Sequence, residues 1–168
     1  MKNEQSTMSS KHRAMKKAFA LLSFLCCLAF SSSLYAQTAD RIEWLLGQQQ
    51  VSYQDAALLA LQAAGHAGPD AGAAEAFAIA AERGWLPKGA KADGEAALDG
   101  LSLLVMQAFG LKGGGALFSL FKSPHYAYRA MAYLGIVSGR ADPQMPVSGD
   151  FLLYAVNRAA YLSEGGEQ

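Results

Sequence analysis

The stretch Tyr133–Asp150 reads "YLGIVSGRADPQMPVSGD". An apolar helix reaches Gly135 and stops there, because glycine enters the left-handed turn that ends helices at little cost. Ile136 and Val137 return to the core, and Gly139 releases the chain outward. Pro143 and Pro146 block an early restart, since the ring removes a backbone N–H and clashes with the preceding turn. Ser148 then caps a new helix. The same grammar governs Glu82–Gly100, "ERGWLPKGAKADGEAALDG". There Gly84 is the stop, and Trp85 and Leu86 are the residues that dip inward.

Aligning the two stretches at an offset of 51 residues pairs Gly84 with Gly135, Asp99 with Asp150, Leu101 with Leu152 and Val105 with Val156. "VSYQDAALLALQAAG", beginning at Val51, fits as a partial third copy of the second helix, against "AALDGLSLLVMQAFG" from Ala96 and "VSGDFLLYAVNRAA" from Val147. Runs of strand length that alternate apolar and polar residues are missing, and alanine-rich helical spacing is common, so the chain reads as all-α. Five main helices are predicted, over about Ser52–Ala64, Ala71–Arg83, Glu95–Phe109, Pro124–Leu134 and Gly149–Leu162. Ser52 caps the first, with Asp55 as the acidic half of a capping box. Gly100 interrupts the third at about 1 kcal/mol relative to alanine, which suits close approach of a neighbour. A short turn at Arg41–Leu46 is expected to bury Ile42, Trp44 and Leu45. Lys112–Lys122 contains three consecutive glycines and reads as a joint, with Phe118, Leu120 and Phe121 tucked back on the core. Ser123 is the expected cap of the fourth helix, with Pro124 at its first position. The tail after Leu162 is expected to fray.

The N-terminus has the parts of a secretory signal peptide. Lys16 and Lys17 precede an apolar run over Ala18–Phe30, and small residues lead to a cleavage point after Ala36. Met15 is read as the start, giving a leader over 1–36 and a helical domain over 37–168. The domain holds a partial unit at 40–65 and full units at 70–110 and 123–162. Both cysteines, Cys26 and Cys27, lie in the leader, so cleavage leaves no disulfide or thiol chemistry. Membrane attachment is expected only if the leader stays uncleaved or is lipidated. Five of the 14 Lys/Arg and one of the 14 Asp/Glu lie in 1–36, leaving 9 against 13 in the remainder. An acidic domain argues against nucleic acid as partner.

The turn-and-cap pattern resembles the S-layer homology (SLH) family. The residues that carry the likeness are Gly135-Ile136-Val137-Ser138-Gly139, Ala141-Asp142-Pro143 and Val147-Ser148, and in the earlier copy Gly84 to Gly89 with Asp93-Gly94. The resemblance implies repeated helix-loop-helix units packed as a pseudo-threefold SLH-like bundle. It also implies an exported cell-envelope module, in the periplasm or at the cell surface, that binds cell-wall polysaccharide. The family's glycan-contacting arginine falls on Tyr53, Leu98 and Gly149, so no copy retains it. That loss opens the alternative of an adaptor that binds another envelope protein.

No nucleophile elbow, phosphate loop, metal-ligand set or cofactor motif occurs, and the chain reads as non-enzymatic. Asp99 and Asp150 read as first-turn residues that complement the helix dipole. The candidate ligand residues are Trp85, Lys88, Tyr126, Arg129 and Arg140, which offer stacking faces and cations. Gly84, Gly135, Gly139, Ser52 and Ser148 are the structural turns and caps.

Overall fold

A computed structural model of the chain describes residues 40–113, 116–138 and 141–165. The leader expected over 1–36, Gly139, Arg140 and the end of the tail lie outside the described residues. The chain divides into two compact units, Met1–Trp44 and Leu45–Gln168. In the first, residues 40–44 are helical and open α1 (residues 40–46). Leu45 is buried as expected, but Ile42 and Trp44 are 39% and 50% exposed, so the buried stripe of this helix narrows to its last turn.

The second unit contains α2 (Tyr53–Ala63), α3 (Ala73–Glu82), α4 (Leu98–Ala108), α5 (Ala116–Phe121), α6 (Pro124–Tyr133) and α7 (Gly149–Ser163). Among the described residues there is no strand, only two isolated bridges, Ser52 with Glu95 and Ala97 with Pro146. The fold is all-α. Helices α2, α4 and α7 pack on one another, α3 packs on α2, α6 on α4, and α5 on α6. Leu58, Leu61, Leu101, Leu104, Met131 and Leu152 are fully buried where these helices meet. Each such side chain contributes about 1.5–3 kcal/mol by leaving water.

The helices stop where glycine permits it. Gly65, Gly84, Gly110 and Gly135 have φ of +72°, +68°, +60° and +69°. Each closes its helix with the same pair of backbone bonds, which satisfy terminal carbonyls. Gly84 N–H reaches Ala81 O at 3.0 Å and Trp85 N–H reaches Ala80 O at 2.9 Å. At the later stop, Gly135 N–H reaches Ala132 O at 3.2 Å and Ile136 N–H reaches Met131 O at 2.9 Å.

The starts of α2, α4 and α7 are joined by a closed ring of three backbone hydrogen bonds. Val51 N–H donates to Val147 O (2.9 Å), Val147 N–H to Ala96 O (3.0 Å), and Ala96 N–H to Val51 O (2.8 Å). These three residues are the ones that the sequence alignment superimposes. The ring explains why α4 begins at Leu98 and not near Glu95: both backbone groups of Ala96 are engaged by other segments and are not free for a helix. A second tier feeds the first helical residue of each. Tyr53 N–H meets Gly94 O, Leu98 N–H meets Met145 O, and Gly149 N–H meets Gln48 O, at 2.9, 3.0 and 2.9 Å. Helix N-termini leave such donors without intrahelical partners, and here the inter-helix loops supply them. The prolines in those loops therefore do more than delay the helix: Pro143 O accepts from Asp99 N–H at 2.9 Å.

Two expectations about the joint are corrected. Phe118 is buried, but Leu120 and Phe121 are 72% and 61% exposed, because a helix of 6 residues resting on α6 has one covered side. Gly113 is packed rather than loose: a Cβ there would collide with Ala130, whose Cα would lie 3.0 Å away. Gly114 and Gly115 lie outside the described residues. Ser123 has the extended backbone of a cap but makes no side-chain capping bond.

Candidate functional site

The ring fixes what surrounds it. Ser52 Oγ accepts from Asp55 N–H at 3.3 Å and donates to the Asp55 carboxylate at 2.5 Å. Ser148 Oγ accepts from Phe151 N–H at 3.3 Å. Ala97 holds the equivalent place before α4 and has no side-chain cap. The Tyr53 phenol reaches across instead, and its oxygen accepts from Ala97 N–H at 3.4 Å. Burial holds that phenol above its ordinary value. The Asp99 carboxylate pushes the same way, against the Ala97 N–H, which favours the phenolate.

Beside this junction lies a groove of about 400 Å³, with walls from Leu98, Val137, Met145 and Phe151 and polar groups from Gln49 and Ser138. Among the described residues, none that lines it carries a formal charge. Gln144 braces the loop along its edge. Its Nε2 donates to Asp99 Oδ2 at 2.7 Å, and its backbone N–H to Asp142 Oδ1 at 2.9 Å. Asp99 and Asp142 are thus held as loop anchors, and Asp99 and Asp150 lie in first helical turns as expected.

Of the candidate ligand residues, Trp85, Lys88, Tyr126 and Arg129 do not line this groove. Trp85 is half-buried rather than core, whereas Ile136, its aligned partner, is fully buried. The indole is too large for the space an isoleucine fills. It stays at the rim, 5.0 Å from the His66 ring, with the Arg83 guanidinium 4.8 Å from its centroid. His66 Nε2 in turn sits 2.9 Å from Ala108 O, tying the end of α2 to the end of α4. Lys88 is exposed in the turn after Trp85. Tyr126 lies on α6, stacked on Phe121 at 5.5 Å, and Arg129 is exposed one turn further along. Their neighbour Tyr128 is half-buried, and its hydroxyl donates to Ala141 O at 2.7 Å and pins the loop to α6. Arg140 lies outside the described residues.

Sequence reasoning missed the groove because its walls are ordinary apolar residues from separate segments of the chain. Small Ser148 lines the groove and was the available signal. Its neighbour Gly149 is pressed against the backbone of Leu45. Among the described residues, no group of three or more His, Cys, Asp or Glu is placed to hold a metal ion. Nor is any described helix long and apolar enough to cross a membrane. No protein-family model matches the chain, and no curated protein or solved structure is significantly similar to it.

Proposed function

We propose that this chain is a non-enzymatic, exported cell-envelope module of SLH-like build, and that it binds an apolar segment of another envelope protein in the groove beside the ring. One observation carries this reading. The three positions where the resemblance expects a glycan-binding arginine are occupied by Tyr53, Leu98 and Gly149, all buried at the helix starts. The adjoining groove offers apolar walls and uncharged polar groups. Among the described residues such a lining favours apolar side chains and offers an anionic polysaccharide no cation. A photo-crosslinking residue placed at Met145 or Phe151 tests the proposal in cells. A discrete protein adduct at both, absent from exposed Lys91, is the expected result. Polysaccharide-dependent sedimentation of the chain with cell-wall sacculi, with no adduct at either position, overturns it.

A second reading keeps the wall glycan as ligand. It is favoured by the half-exposed Trp85 ring, with the Lys88 ammonium in the next turn, an arrangement suited to stacking on a sugar and pairing with its charge. The same sedimentation decides between the two: the glycan reading requires binding that is lost in the Trp85→Ala, Lys88→Ala double variant.

A further inference from the structure

The outward face of α5 and α6 combines exposed apolar side chains with cations. From Gly100 to Ala141 the sequence contains no Asp or Glu, although the chain beyond the leader is acidic. Within that run Leu120, Phe121 and Tyr133 are 72%, 61% and 71% exposed. Lys122 and Arg129 are exposed beside them and have no carboxylate partner among the described residues. The patch is continuous. Phe121 stacks on Tyr126 at 5.5 Å, and Tyr126 meets His125 edge-on at 5.4 Å. His125, Arg129 and Tyr133 follow at successive helical turns on the side of α6 opposite its buried residues Ala127, Ala130 and Met131. Lys122, at the junction of the two helices, is the one non-glycine with positive φ among the described residues (+41°). Its left-handed backbone turns the chain so that Phe121 lies over α6.

We propose that this face docks on an anionic lipid surface. Leu120 and Phe121 enter the acyl boundary, Tyr126 and Tyr133 sit at headgroup depth, and Lys122 and Arg129 pair with lipid phosphates. Charge complementarity selects this occupant: unpaired cations flanking exposed apolar and tyrosine side chains, in a stretch free of acids, are the composition that binds such interfaces. This attachment is peripheral and separate from the groove, so it does not depend on what the groove binds.

The test is co-sedimentation of the full chain with vesicles of phosphatidylcholine alone and of phosphatidylcholine with phosphatidylglycerol. The apolar leader is common to all variants, so the comparison between them isolates the patch. Wild type is expected to bind the anionic vesicles, with partitioning that weakens as salt screens the cations. Leu120→Ser with Phe121→Ser, and separately Lys122→Gln with Arg129→Gln, are expected to lower partitioning at least tenfold. Circular dichroism should show each variant folded. Leu120→Met with Phe121→Trp should restore it. Absence of binding by wild type, serine and glutamine variants that bind as well as wild type, or a partner that proves to be an acidic protein with no vesicle binding would each overturn the proposal.

Discussion

The Tyr53 phenol occupies the space that a side chain at position 100 would need. A Cβ built on Gly100 collides with Tyr53 Oη and lies 2.9 Å from both Tyr53 Cε1 and Pro87 Cγ. Gly100→Ala is therefore expected to destabilise the fold by about 1–3 kcal/mol through overpacking, despite alanine's better helix propensity. Combined with Tyr53→Ala, the substitution at 100 should cost far less, because the colliding ring is gone. Urea unfolding of the four proteins of this cycle measures the coupling. Strict additivity would show that the contact is not what keeps glycine at 100.

Gly149→Ala makes an instructive contrast. Its Cβ would meet the Leu45 carbonyl, with the carbonyl carbon at 2.6 Å, so the obstacle is backbone. No side-chain substitution nearby relieves it. A loss larger than that of Gly100→Ala is expected, together with loss of the Gly149 N–H bond to Gln48 O. Thermal unfolding of the two single variants ranks them.

Ala97 stands where Ser52 and Ser148 stand at the other two helix starts. Replacing the serines with alanine should cost about 1 kcal/mol each, and Ala97→Ser should gain a comparable amount by capping α4. Denaturant midpoints measured at one pH give all three values. A destabilising Ala97→Ser would mean that the Tyr53 hydroxyl already serves as the cap.

Alkaline pH should weaken the fold through Tyr53. Its phenol is held above the usual value of about 10, first by burial and then by Asp99. The folded state thus favours the protonated form. That contribution is complete below about pH 10 and is lost as pH rises through the raised value. Tyr53→Phe should flatten this part of the stability profile above about pH 10. An unchanged slope would assign the alkaline loss to other groups.

The punctuation of the sequence was the most legible part of the fold. Gly84 and Gly135 stop helices as read, and Ser52 and Ser148 cap them, because these signals act within a few residues. What depended on distant partners was not legible. The start of α4 was placed too early because Ala96 is held by Val51 and Val147. Trp85 was read as core by analogy with Ile136, yet its size keeps it at the rim against His66 and Arg83. Leu120 and Phe121 were assigned to the core on hydrophobicity alone, which cannot report how little surface α5 has to rest on. The groove escaped notice for the same reason, since Leu98, Val137 and Phe151 come from separate segments that meet only in the folded chain.

Because Val51, Ala96 and Val147 bond in a closed cycle, this architecture has a fixed count. An open stack of helical repeats presents a free edge at each end, grows by adding copies, and folds from any point along its length. A three-membered cycle has no end at which a fourth segment could join, and it loses two of its bonds when any one segment is removed. Its members are widely separated in the chain, so each closure fixes a long loop before it gains a contact. Truncation before Val147 should therefore yield an unfolded chain and not a smaller stable array, and the second unit should unfold in one cooperative step.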